Sequence, residues 1–187
     1  MRHQSTIMII PPEPPLKKLE DLKLKMCSKY NSKAAELPPH ISVMSFGMMT
    51  DRGFEKVSEN MGKLVKEVPP FHVHSAELEF TGSNDSYPGV YMHFERSPEL
   101  YNLHELCVAY LQRFEDGKDR SYKKMEKWRP HLTLVGPDVS GEKLDIAKME
   151  LEGERYSCSF LVDEIHLTKI VENKLMNCRF ELEGKRH

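Results

Sequence analysis

Residues 39–43 read Pro-His-Ile-Ser-Val, and residues 130–134 read Pro-His-Leu-Thr-Leu. Both stretches follow one pattern: proline, histidine, an apolar residue, a hydroxyl residue and a second apolar residue. In a β-strand, side chains two positions apart leave the same face, so each copy presents an imidazole beside a hydroxyl. Proline favours an extended preceding residue and lacks the N–H that a central strand needs. We therefore expect each copy to lie at the start of a strand.

The same pattern could arise by chance, as two strand histidines with no joint role. The chain contains nine histidines, and shorter His-x-Ser/Thr matches occur at His3 and His166. Neither match has the preceding proline or apolar residues at both flanking positions, so the full pattern occurs only twice. His72 and His74 share a strand face but have no third ligand at metal-binding spacing, so we interpret them as strand histidines. The paired motif therefore predicts a functional site.

Two imidazoles and two hydroxyls are suited to acid–base chemistry on a phosphodiester. One neutral imidazole can accept a proton while the other, protonated, donates one to the leaving oxygen, and histidine titrates near neutrality. Ser42 and Thr133 can donate hydrogen bonds to the developing charge on the phosphoryl oxygens. Because the two histidines must hold different protonation states, activity should depend on pH in a bell-shaped manner.

Size and composition limit the classes of protein that this chain can represent. Its 187 residues, 39% hydrophobic and 30% charged, suit one domain or two small lobes that share a core. We expect a single bilobal domain over 1–187. The net charge of −2 argues against a protein that binds duplex nucleic acid, and favours a short oligonucleotide or an RNA end as substrate.

Targeting and cysteine patterns point to the cytoplasm. No apolar run approaches the roughly 18–20 residues that a membrane span needs, and the first residues lack the apolar core of a signal peptide. The four cysteines form neither a Cys-x-x-Cys pair nor a zinc spacing, so we expect reduced thiols. We expect a monomer with no membrane partner, no metal and no cofactor.

The order of elements repeats after each motif: motif strand, helical stretch, Phe-x-Val strand, turn, strand. His40 lies 31 positions before Phe71, and His131 lies 29 positions before Phe160. This near-equal spacing indicates two similar lobes. Periodicity predicts strands at 5–10, 40–46, 71–81, 89–95, 131–135, 156–170 and 175–182, and helices at 16–30, 51–68, 98–114 and 141–150.

With its two His-x-Ser/Thr-x motifs, the chain resembles the 2H phosphoesterase superfamily, which includes the LigT and 2′-5′ RNA ligase-like proteins. The resemblance implies an α+β fold of two pseudo-symmetric α/β lobes, whose mainly antiparallel sheets face a central groove. It also implies metal-independent phosphodiester chemistry at 2′ positions. By the same resemblance the catalytic residues are His40, Ser42, His131 and Thr133, with His131 as the base.

Several substrates remain open within this family. The first hypothesis is a phosphodiesterase for 2′,3′-cyclic phosphates or 2′-5′ linkages in RNA ends, short oligonucleotides or cyclic nucleotides. A second is a phosphodiesterase that degrades signalling nucleotides, either 2′-5′ oligoadenylate or cyclic dinucleotides. A third is a nucleotide-binding module with little turnover.

Four further residues are candidate substrate contacts: Arg129, Phe46, Met44 and Tyr87. Arg129 lies two positions before His131 and on the same strand face, where it could contact a phosphate. Met44 and Phe46 continue the face of Ser42 and could wall a base pocket, although core packing is the alternative. Tyr87 lies in a loop rich in glycine and proline, and Trp128 is expected to pack on the face opposite His131.

Overall fold

The protein is described by a computed structural model that covers residues 2–81, 88–114, 128–139, 141–172 and 174–184. Within these ranges the chain forms eight strands and four α-helices. They are β1 (Arg2–Ile9), α1 (Pro15–Tyr30), β2 (Ile41–Thr50), α2 (Asp51–Leu64), β3 (Phe71–Thr81), β4 (Gly89–Phe94), α3 (Pro98–Leu111), β5 (His131–Val135), α4 (Glu142–Leu151), β6 (Ser159–Val162), β7 (Glu164–Val171) and β8 (Lys174–Glu181).

The strands form two antiparallel sheets of four strands each. The first sheet has the order β2-β1-β7-β8, and the second has the order β5-β4-β3-β6. Each motif strand, β2 or β5, therefore lies at one edge of its sheet. This arrangement confirms the predicted α+β fold with two mainly antiparallel sheets.

The hairpins exchange between the two halves of the chain. The β3–β4 hairpin follows the first motif but joins the sheet of the second motif strand, β5. The β7–β8 hairpin follows the second motif but joins, through β1, the sheet of the first motif strand, β2. Each sheet is thus built from both halves of the sequence.

The predicted single strand over 156–170 is wrong, because the chain changes sheets within it. β6 pairs with β3 in the second sheet, while β7 pairs with β1 in the first, and the switch occurs at Asp163. Phe71 pairs with Val162, and Val73 pairs with Phe160. The two Phe-x-Val segments of the sequence are therefore direct partners.

The helices cover the apolar sides of the sheets. α2 and α3 pack against β2 of the first sheet, and α1 and α4 pack against β5 and β4 of the second. Two of these helices have side-chain N-caps: the Thr50 hydroxyl accepts a hydrogen bond from Gly53 N at 3.1 Å, and Ser97 accepts one from Leu100 N at 3.2 Å. One hydrophobic cluster contains residues of both sheets, so the lobes share a core.

Among the helices that the structure describes, none is long and apolar enough to cross a membrane. The same residues contain no cluster of three or more His, Cys, Asp or Glu side chains arranged to hold a metal ion. All four cysteines are free thiols.

Candidate functional site

Both motif histidines are fixed by the same hydrogen bond. His40 Nδ1 lies 2.8 Å from the carbonyl oxygen of Pro38, and His131 Nδ1 lies 2.9 Å from that of Arg129. In each case the acceptor is two residues before the histidine. Because a carbonyl can only accept, Nδ1 carries the proton in the neutral ring, and Nε2 is left as the basic nitrogen. Both rings therefore hold the same tautomer.

The segments that precede the two histidines are anchored in equivalent ways. Lys23 Nζ of α1 donates to Leu37 O at 3.0 Å, and Tyr101 OH of α3 donates to Trp128 O at 3.2 Å. Each acceptor lies three residues before its motif histidine. The repeat seen in the sequence thus extends to individual hydrogen bonds. Sequence reasoning missed both anchors, since they come from distant helices.

Burial favours the neutral form of both motif histidines. The pKa of His40 is lowered to about 4, mainly by burial and in smaller part by Lys23, against the opposing effect of the hydrogen bond to Pro38. Burial also lowers the pKa of His131, where the Glu79 carboxylate opposes this effect and His93 adds to it. Both rings are therefore neutral at pH 7 in the free protein. The strands that carry the two motifs, β2 and β5, contact each other, which brings the two motifs to the same part of the molecule.

The two motif hydroxyls lie beside these histidines. Ser42 and Thr133 are both half-buried, and each is two residues beyond its histidine on the same strand face. Thr133 pairs with Tyr91 of β4, and His131 pairs with His93. We call His40, Ser42, His131 and Thr133 together the motif site.

The prediction that Met44 and Phe46 share the face of Ser42 is wrong, because β2 contains two β-bulges. Met8 pairs with Ser42, and its neighbour Ile7 pairs with Met44. Adjacent residues of β1 face opposite sides, so Ser42 and Met44 do too. Met44 is 1% exposed and Phe46 is 0% exposed, and both lie in the hydrophobic core. They cannot wall a substrate pocket.

The remaining predicted residues lie as follows. Arg129 is exposed, and its Nη1 lies 3.8 Å from Glu79 Oε2 beside the second motif. Trp128 is 7% exposed and packs in the interior. Tyr87 lies outside the described residues.

Three residues around His131 were missed by the sequence analysis. The His93 ring lies 5.9 Å from the His131 ring, and Tyr91 meets His131 edge-on at 4.9 Å. Glu79 Oε2 lies 2.5 Å from His93 Nε2 and pairs with it. The alternation of apolar and polar residues in β4 indicates that Tyr91 and His93 share a face. It does not reveal that β4 pairs with β5, which is what brings them to His131.

Comparison with known sequences places this arrangement in a family. The family model described as the 2′-5′ RNA ligase superfamily matches residues 11–174. A protein of Geobacillus kaustophilus named as a candidate phosphoesterase is 25% identical over 170 residues, 89% of this chain and 88% of its own length. A similarly named protein of Bacillus cytotoxicus is 24% identical over 166 residues, 87% of this chain and 88% of its own length.

Comparison with solved structures gives the same fold. TT0787 of Thermus thermophilus superposes with a TM-score of 0.70 at 14% identity, covering 98% of this chain and all of the other. E. coli LigT complexed with 3′-AMP superposes with a TM-score of 0.66 at 14% identity, covering 97% of this chain and 99% of LigT. The family match spans most of the sequence, and the structural matches span nearly all of it. The chain belongs to the 2′-5′ RNA ligase superfamily.

Proposed function

We propose that this protein is a metal-independent phosphodiesterase that acts on 2′,3′-cyclic phosphate or 2′-5′ linkages of RNA ends or small oligonucleotides. The observation that carries the proposal is the pair of motif histidines. Both are held by a backbone carbonyl at Nδ1, which leaves two basic Nε2 nitrogens at the starts of β2 and β5, two strands that contact each other. Two such groups can supply the proton acceptor and the proton donor that phosphodiester cleavage needs.

The charges around the two rings support a division of roles. His40 lies near the cationic Lys23, which disfavours a proton on the ring, so protonated His40 is a strong acid suited to protonating a leaving oxygen. At His131 the hydrogen bond to Arg129 O and the Glu79 carboxylate both favour the imidazolium that forms when a base takes up a proton, against the opposing effects of burial and of His93. We therefore assign His131 as the base and His40 as the acid.

The reaction on a 2′,3′-cyclic phosphate then proceeds with balanced proton transfers. His131 Nε2 accepts a proton from water as the water oxygen forms a bond to phosphorus. The bond from phosphorus to one ribose oxygen breaks, and protonated His40 Nε2 donates its proton to that oxygen. Ser42 and Thr133 donate hydrogen bonds to the non-bridging oxygens, whose negative charge grows in the transition state.

Complexes of a relative support a nucleotide as ligand. E. coli LigT has been crystallised with 3′-AMP, ATP and NADP+. Arg129 is exposed beside the second motif and offers a guanidinium to a phosphate of such a ligand.

The direct test is turnover in EDTA of a 2′,3′-cyclic-phosphate mononucleotide, a 2′-5′-linked adenylate dimer and the matching 3′-5′ dimer. We expect cleavage of at least one 2′-containing substrate and no cleavage of the 3′-5′ dimer, measured by separating the products on an ion-exchange column. Activity that disappears in EDTA and returns with a divalent cation would contradict the proposal. Binding of 3′-AMP without turnover of any substrate would favour the binding-module alternative.

Both limbs of the pH profile of kcat/KM should lie at or below pH 6.5, the ordinary pKa of histidine. Both pKa values are lowered in the folded protein, so the acid loses its proton, and the rate falls, as the pH rises through the higher apparent value. A profile from pH 4 to pH 8 with a cyclic-phosphate substrate measures this.

The kcat profile provides the internal control for this prediction. A bound phosphodiester carries a negative charge, which favours imidazolium, so the limbs of kcat should lie at higher pH than those of kcat/KM. A kcat/KM profile that is flat from pH 5 to pH 8 would contradict the two-histidine assignment.

A further inference from the structure

Two side chains donate to consecutive carbonyl groups of the first motif strand. Trp128 Nε1 donates to Ser42 O at 3.2 Å, and His104 Nδ1 lies 2.8 Å from Val43 O. The indole and imidazole rings stack in parallel, 4.2 Å apart with an angle of 5° between their planes. The two donors therefore approach β2 from the same side, as a single unit.

This geometry follows from the β-bulge in β2. In a regular strand, consecutive carbonyls point to opposite edges, so two stacked rings could not bond both. Between Ile7 and Met8 the pairing register shifts, which makes Val43 the extra residue and disrupts the ladder there. β2 is also the edge strand of its sheet, and within the described part of the chain no strand pairs along its outer side. Trp128 and His104 supply hydrogen-bond donors to the carbonyl groups of β2.

Both donors are linked to the segment that precedes the second motif histidine. Trp128 lies three residues before His131, and its own carbonyl accepts from Tyr101 of α3. His104 lies one turn further along the same helix and is fully buried. A hydrogen bond thus runs from the segment of the second motif to the residue that carries the hydroxyl of the first.

We propose that Trp128 and His104 are positioning residues that fix the Ser42 hydroxyl relative to His131 by holding the bulge of β2 at its open edge. The proposal rests on the proposed function, because it assigns them an effect on turnover. A hydroxyl that must meet a phosphoryl oxygen has little tolerance for displacement, and a shift of about 1 Å can cost about 100-fold in rate.

The first variant is Trp128→Phe, which keeps an aromatic ring against His104 but replaces the indole with a smaller phenyl ring that has no N–H donor. We expect kcat to fall about 10- to 100-fold with KM changed by less than about 3-fold, because the misplaced group acts in the transition state. Tyr110→Phe is the matched control. It removes a hydroxyl from α3, the helix that carries His104, and this hydroxyl donates to Glu67, which is not part of either motif. Its kcat should equal that of the wild type.

The second pair of variants separates the hydrogen bond from packing. His104→Gln retains an N–H donor for the Val43 carbonyl, whereas His104→Leu fills the space without one. We expect kcat of the glutamine variant within about 3-fold of the wild type and a loss of about 10-fold or more for leucine. Equal kcat for both folded variants, or an unchanged kcat in Trp128→Phe, would overturn the proposal.

A spectroscopic test keeps this inference separate from the proposed activity. Trp128 is the sole tryptophan of the chain, so the indole N–H gives one resonance in an amide NMR spectrum. We expect that resonance to exchange slowly with solvent, and to move when 3′-AMP is added to the wild type but not to Ser42→Ala. An indole N–H that exchanges rapidly with solvent, and whose chemical shift does not change when 3′-AMP is added, would overturn the inference. A protected, responsive indole in a protein that cleaves no substrate would contradict the proposed function alone.

Discussion

Replacing His131 or His40 by alanine is expected to lower kcat by roughly 100- to 10,000-fold, the usual contribution of a positioned acid or base. The two rings act in the same step, so the double variant should cost little more than either single variant. Steady-state turnover of a 2′,3′-cyclic phosphate by the three variants and the wild type measures both effects.

The matched control for this experiment is His72→Ala. His72 is an exposed histidine on β3, opposite Leu161 of β6, and has no part in the motif site. Its variant should retain wild-type kcat. If the losses of the two single variants multiply in the double variant, the histidines act in independent steps and the paired mechanism is wrong.

Removing either motif hydroxyl is expected to lower kcat by roughly 100- to 1,000-fold, as for other donors to a developing oxyanion. Ser42→Ala and Thr133→Val remove the hydroxyl and leave most of the side-chain volume. Because the hydrogen bond strengthens as charge develops, kcat should fall more than KM rises. Single-turnover kinetics on the cyclic phosphate separate the chemical step from product release.

The conservative exchanges Ser42→Thr and Thr133→Ser keep the hydroxyl and should restore kcat to within about 10-fold of the wild type. Ser28→Ala removes an exposed hydroxyl from α1 and serves as the neutral control. Equal losses in Ser42→Ala and Ser42→Thr would show that shape at this position matters and that the hydroxyl does not.

Local pattern was sufficient for the parts of the site that lie on a single strand. The proline and the alternation in residues 39–43 and 130–134 predict a histidine at a strand start with a hydroxyl on its face, and β2 and β5 begin accordingly. The antiparallel α+β fold followed from the repeated order of elements and from the family resemblance. The caps at Thr50 and Ser97 are likewise local features of the chain.

Pairing between strands could not be predicted in this way. If the alternation is continued past residue 43, it places Met44 on the same face as Ser42. The bulge at Val43 reverses the faces, and the sequence gives no sign of it because position 43 is not a glycine. His93 reaches His131 only because β4 pairs with β5, which is a contact between distant segments. Trp128 was expected to pack on the face opposite His131, in the core or at the surface, and its bond to the Ser42 carbonyl depends on the same long-range arrangement.

The exchange of hairpins has a consequence for how this chain can be made and altered. During synthesis β1 and β2 emerge early, yet β1 acquires its second neighbour only when β7 has been made, near the end of the chain. The setting of His40 thus depends on residues that the ribosome adds only after β5, α4 and β6. Neither half of the sequence encodes a lobe that could be separated, duplicated or recombined as a unit. Although the motif is repeated, each half depends on strands of the other half, and the two halves must fold together.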